Sequence, residues 1–140
     1  MAITQALCNS FKQECLAMTP HTAADNYKVA LFTSAAALSK ATTAYAATNE
    51  VVGTGYTAGG QNLTGFSVTL DTDTAILDFT TDPSWPSSSI TARGALIYNS
   101  SRSNKAVAVI DFGADITSTN GTFSMPLPAP AAATGLIRWT

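Results

Sequence analysis

From residue 27 onward the chain is written in a period of two, in short runs bounded by turn residues, and this limits its fold more than any other feature. Side chains on an extended strand alternate between faces, so Tyr27, Val29, Leu31 and Thr33, set against Lys28, Ala30 and Phe32, mark a first strand over 27–33. A stretch over 34–61 follows that is rich in Ala, Thr and Gly, with Lys40 and Glu50 as its only charges. It is too long for a plain turn, and a turn or two of helix fits within 42–49. Further short strands are expected over 62–70, 74–80, 89–98, 105–112, 121–127 and 135–139. The polar links 71–73 and 99–104 suit hairpins, and Asn120-Gly121 supplies the positive φ angles of another tight turn. Pro126, Pro128 and Pro130 end the penultimate strand early or confine it to a sheet edge.

Only the first residues carry a helical period. Ile3, Leu7, Phe11, Cys15 and Met18 recur at spacings of three and four, which predicts an amphipathic helix over 3–18, stopped by Pro20. One N-terminal α-helix followed by about 7–8 closely spaced strands defines a mainly β protein, an antiparallel β-sandwich or jelly roll, and not a βαβ sheet. With 140 residues, 46% of them hydrophobic, the chain is expected to form a single domain over 1–140, the antiparallel strands filling 62–139.

Charge narrows the partners. Charged residues make up 11% of the chain, against about 25% in ordinary soluble domains. The net charge is −2 and the seven Lys and Arg form no cluster, so no nucleic-acid partner is expected. No apolar run approaches the roughly 20 residues that cross a bilayer, so no membrane partner is expected either. The opening Met1-Ala2-Ile3-Thr4-Gln5 has no basic region ahead of an apolar one, so the expectation is a protein that stays where it is made. Cys8 and Cys15, on one helix, would lie about 10.5 Å apart along its axis, beyond the roughly 7 Å reach of a disulfide, and are expected to be buried free thiols. The Asn-x-Thr/Ser triplets at Asn62, Asn99 and Asn120 read as turn chemistry.

The search for reactive groups returns little. His21, the only histidine, sits in a polar connector beside Pro20 with no nucleophile elbow nearby. Asp71, Asp73, Asp78 and Asp82 cluster in one hairpin region but lack the spacing of a calcium loop. The glycines over 53–60 lack the Gly-Lys-Ser/Thr ending of a phosphate loop and precede a strand. Asp78 and Asp111 are the one carboxylate pair that a glycosidase reading would take, and nothing in the sequence raises either pKa. No enzyme, metal or cofactor is expected. Surface recognition is left, with Tyr45 and Tyr56 in the long stretch and Trp85 between Pro83 and Pro86 as rigid aromatic anchors. Trp85 serves equally well as a plug for the end of a sandwich. Four acids over 71–82 and the bases Arg93, Arg102 and Lys105 further on offer charge complementarity between subunits.

Several stretches together resemble a known family: Ala-Leu-Cys-Asn-Ser-Phe-Lys over 6–12, Tyr-Lys-Val-Ala-Leu-Phe-Thr-Ser over 27–34, the Thr43-to-Gly60 segment, Ile-Thr-Ala-Arg-Gly-Ala-Leu-Ile-Tyr-Asn over 90–99 with Lys-Ala-Val-Ala-Val-Ile-Asp-Phe-Gly over 105–113, and the closing Ile137-Arg138-Trp139. They resemble small structural proteins of tailed bacteriophages, and in function the jelly-roll cement or decoration proteins of short-tailed phages such as a Bordetella phage. The resemblance implies a capsid decoration protein without catalytic chemistry or cofactor. Such a protein is made in the host cytoplasm, binds the outside of the major capsid protein shell, and stabilises the head as a homo-oligomer, a dimer or trimer. It brings no motif that fixes contact residues, so Tyr45, Glu50, Tyr56 and Trp85 in loops, and Arg102 and Lys105 at a hairpin tip, are interface candidates by position alone. A tail, adaptor or head-fibre component of the same virion is the alternative, and a host-glycan-binding module stacking sugars on Trp85 and the tyrosines is another.

Overall fold

The N-terminus is extended where a helix was expected. In the computed structural model, which describes residues 2–18, 20–127, 133 and 135–139, Ile3 bridges to Leu38 and Ala6–Leu7 forms strand β1, so helix α1 spans only Asn9–Ala17. The cause lies in the spacing itself. Residues four apart share one face of a helix, but four is also an even number, so Ile3 and Leu7 equally share one face of an extended chain. Pairing of Ala6 with Val109 and Leu7 with Ala108 settles the choice. Met18 closes the helix in the left-handed conformation at φ 58, its N–H reaching the Cys15 and Glu14 carbonyls.

Among the described residues, eight strands and this short helix make a mainly β fold of two antiparallel sheets. The larger contains β1, β2 (Tyr27–Phe32), β3 (Gln61–Leu63), β6 (Ser84–Asn99) and β7 (Lys105–Ser124), in the order β1-β7-β6-β2-β3. The smaller contains β4 (Ser67–Asp71), β5 (Thr74–Asp78) and β8 (Ile137–Trp139), in the order β4-β5-β8. The core lines both faces of the large sheet with Phe11, Val29, Leu31, Phe32, Ile90, Leu96, Ile97, Val107 and Val109, and Leu77 and Ile137 join it from the small sheet. The β2 strand reads as nearly continuous burial because both its faces are covered. Phe11 and Ile3 are buried against the molecule's own sheet, so the apolar side of the N-terminal segment is covered from within.

Two expected breaks are bulges instead. The runs 105–112 and 121–127 belong to one strand, β7, which pairs with β6 from Asn99↔Lys105 to Ser84↔Ser124. Ile90 pairs with Ser118 and Ser88 with Gly121, so the Asn120-Gly121 step, with Asn120 at φ 47, is an extra residue in a ladder and not a hairpin turn. Positive φ at Asn serves both purposes, and a partner strand already running alongside decides between them. Likewise Pro86 lies inside β6: lacking an N–H, it interrupts the ladder, and Ser87 at φ 51 absorbs the register shift between Trp85 and Ser88. A larger bulge separates Gly94↔Asp111 from Ala92↔Ile116, with Gly113 at φ 82. The links 71–73 and 99–104 are the hairpin turns expected, and Pro128 and Pro130 lie outside the described residues.

The 34–61 stretch contains no helical turn and lies along the large sheet. The Thr4 N–H donates to the Leu38 carbonyl (2.9 Å), Val51 N–H to Leu31 (3.0 Å), and Glu50 and Thr54 form bridges to Phe32 and Ser89. Its glycines permit this closeness. A Cβ on Gly60, which sits at φ 77, would overlap the Val29 carbonyl.

Candidate interaction surface

Glu50 is buried, 6% exposed, beneath the long loop. Its Oε2 accepts a hydrogen bond from the Tyr45 hydroxyl (2.6 Å), and its Oε1 accepts from the Tyr56 hydroxyl (2.6 Å) and the Gly59 N–H (2.7 Å). The Tyr56 oxygen in turn accepts from the Leu31 N–H of β2 (2.9 Å), and the Tyr98 hydroxyl of β6 donates to the Gly59 carbonyl (2.7 Å). Tyr45 also stacks on Tyr98, ring centres 4.6 Å apart. Burial and the neighbouring Glu50 carboxylate push the Tyr45 and Tyr56 hydroxyls well above the usual tyrosine range, and burial pushes Tyr98 up to about 12. These tyrosines therefore stay protonated donors. Tyr45, Glu50 and Tyr56 are brought together as expected of neighbours in sequence, but as an inward clamp holding the loop on the sheet and not as outward anchors.

For Trp85, whose role the sequence leaves open between plug and anchor, the placement is corrected. It lies in β6 and not in a connection, is 3% exposed, and packs on Tyr56 and Phe123 with ring centres 5.8 Å and 6.0 Å away. The plug role fits this placement, and a stacking platform for sugars does not.

Arg102 and Lys105 do sit at the β6–β7 hairpin tip, each engaged by an acid of its own chain. Arg102 Nε donates to both oxygens of Asp25 (3.0 and 3.1 Å), and Lys105 Nζ lies 2.9 Å from Glu14 Oε2. Asp25 also receives the Asn99 amide (2.8 Å) and the Thr22 N–H (2.9 Å). Burial works against its charge, yet these donors outweigh it and hold the carboxyl far below the ordinary range. Asn99, fully buried, has its orientation fixed by the Ser101 N–H on Oδ1 and by Asp25, so its second amide hydrogen goes to His21 Nδ1 (3.0 Å). His21 Nε2 faces Glu14 at 3.3 Å, and its ring packs edge-on to Phe11. The lone histidine thus belongs to a network that ties the 20–26 connector and α1 to the hairpin tip. Arg93 is engaged as well, by Asp111 at 3.0 Å. The expected complementarity between subunits is met inside one chain, with acids outside the 71–82 cluster.

Asp78 and Asp111 lie in different sheets. Asp78 is buried and raised in pKa by that burial, although its Oδ1 accepts the Phe79 N–H (2.7 Å), whereas the Gly113 N–H and Arg93 hold Asp111 low. Among the described residues no group of His, Cys, Asp and Glu is arranged to hold a metal ion, and no helix is long and apolar enough to cross a membrane. Cys8 and Cys15 are free thiols, Cys8 buried and pushed up to about 11 by that burial.

The feature that sequence reasoning missed is apolar. On β4, Val68 is 61% and Leu70 72% exposed, and on β8 Trp139 is 45% exposed. Their registers place them in two rows across one face of the small sheet, Val68–Leu77–Ile137 and Leu70–Ala75–Trp139. Full burial of a Val or Leu is worth about 1.5–3 kcal/mol, and this face leaves most of that unrealised at its β4 side. Through Ile137 it adjoins a groove of about 830 Å³ between the sheets, lined by Ile110, Phe112, Ile116, Phe123 and Leu127 among others. The alternation in 67–71 was visible in the sequence. Which face the second sheet covers was not, because that depends on the offset between sheets.

Comparison with known proteins finds no relative: no family model, no curated protein and no solved structure matches the chain.

Proposed function

We propose that this chain is a bacteriophage capsid decoration protein, which binds the outside of the major capsid protein shell and stabilises the head. The class of reading comes from the resemblance. The observation that carries it here is the apolar face of the small sheet with its adjoining groove, on a molecule whose hairpin-tip cations are already paired internally. An exposed apolar patch supports this reading because it is the chemistry a protein contact draws on. Many copies on one lattice gain strength from avidity even where each contact is small, and a chain with a net charge of −2 crowds onto that lattice with little self-repulsion.

The test is co-sedimentation of the purified protein with expanded heads that lack it, with bound copies counted by densitometry against the major capsid protein. Saturation near one copy per capsid subunit, retained in about 1 M salt where the Debye length is roughly 3 Å, is the expected result. A dozen copies or fewer would move the protein to a vertex or the tail, and no binding at all would sink the capsid reading.

A further inference from the structure

The outer edge of β4 carries no partner strand among the described residues. Natural sheets blunt such an edge with lysine, proline or a bulge. Ser67-Val68-Thr69-Leu70-Asp71 has none of these, and its pairing with β5 runs without a register shift over its whole length. The strand is also nearly its own mirror: polar, apolar, Thr, apolar, polar.

We infer that β4 pairs antiparallel with β4 of a second copy about a two-fold axis through Thr69, joining two small sheets into one continuous sheet. Three observations select this occupant and this register. First, Thr69 is the middle of β4, so only this centre pairs the full strand, setting Val68 against Leu70 of the other copy, Ser67 against Asp71 and Thr69 against itself. Second, a slip of one residue would place apolar against polar side chains. A slip toward the turn shortens the pairing, and a further step sets Asp71 against Asp71. Third, the backbone is oriented for it. The β4–β5 hairpin closes at Asp71↔Thr74 around the two-residue loop Thr72-Asp73, so alternate residues turn their N–H and C=O into the sheet. Thr69, two positions from the closing pair, turns inward with it, and Val68 and Leu70 present their backbone groups outward. Those groups meet reciprocally across the axis. The exposed apolar face then extends over both copies, giving a larger platform. The inference does not rest on the capsid reading, since it concerns the isolated protein.

The experiment is light scattering on the full chain over a dilution series, with Leu70→Lys as the disrupting variant and circular dichroism as a check of fold. A mass twice that of the chain, falling to the monomer value for a folded Leu70→Lys, is expected. A position-specific cross-link provides a second measurement. In a Cys15→Ser background, Thr69→Cys places two thiols directly opposite at roughly 4.5–5.5 Å between Cβ atoms, and mild oxidation should give a disulfide-linked dimer, whereas Asp71→Cys should not. A monomer at every concentration, a mass other than twofold, a dimer indifferent to Leu70→Lys, or equal linking at positions 69 and 71 would each overturn the proposal. None of these outcomes bears on whether heads bind the protein.

Discussion

Replacing Glu50 by alanine removes the acceptor of three short hydrogen bonds at once. The donors are not equivalent. The Gly59 N–H is buried and has no other acceptor to turn to, so its loss costs about 1–3 kcal/mol. Tyr45 and Tyr56 are only half-buried as residues, and each loses about 1 kcal/mol of a charge-assisted bond. The sum is about 3–5 kcal/mol. For a chain of 140 residues, between the size classes for which shifts of about 4–8 and 2–4 °C per kcal/mol hold, this lowers the melting midpoint by roughly 10–20 °C. Glu50→Gln separates charge from geometry. Its carbonyl can keep Tyr56 and Gly59, while its amide can donate to the Tyr45 oxygen, so only charge assistance is lost, about 1–2 kcal/mol and roughly 4–8 °C. Differential scanning calorimetry of the three proteins, with urea unfolding to check that the m-value is unchanged, measures both steps. Equal damage from Gln and Ala, or an Ala variant within about 3 °C of the parent, would refute the view that this carboxylate clamps the loop.

Two further predictions concern groups with displaced pKa. The folded-state pKa of Asp25 lies below its unfolded value of about 3.9, so its contribution is complete above that pH and is lost as pH falls through it toward the folded value. Asp25→Asn should therefore be less stable than the parent at pH 7 by about 1–2 kcal/mol and converge with it in urea unfolding below about pH 4; parallel curves across that range would count against the assignment. With its thiol at about 11, Cys8 is thiolate in only about one molecule in a thousand at pH 8. Ellman's reagent should leave it unmodified in the native protein and titrate both cysteines after unfolding, and rapid native reaction of both would show that Cys8 is not enclosed.

The division between what could and could not be read from the sequence follows the range of the interactions. Strand-period runs and the 71–73 and 99–104 turns are local patterns, and they recur in the structure as β2, β4, β5 and the two hairpins. The N-terminal misreading arose because a spacing of four does not discriminate helix from strand, and only the pairing with β7, about a hundred residues away, resolves it. Pro86 and Asn120 are local signals whose meaning depends on whether a partner strand continues past them. In the site, Glu50 was recognisable as the sole acid of a neutral stretch between two tyrosines, but its direction depends on β2 and β6 behind it. Trp85 was open to an outward and an inward reading for the same reason, since its packing on Tyr56 and Phe123 joins residues far apart in sequence. The partners of Arg102 and Lys105, Asp25 and Glu14, are far away in sequence and no spacing rule connects them.

Those ion pairs bear on how the protein meets anything else. A surface cation in water contributes to recognition mainly by steering and by pairing with a partner's acid, and one held by an acid of its own chain must break that contact first. Arg93, Arg102 and Lys105 are in that position, and Asp25, the best solvated by donors among their partners, is the least willing to release. With those three cations engaged, the small sheet offers a contact of another kind, the apolar side chains Val68, Leu70 and Trp139 beside a β4 edge that has no partner strand among the described residues. The sparse charge then has a physical reading: where contacts are made by strand edges and apolar rows, register carries specificity, and the few acids beside β4 act by excluding the registers that would oppose them.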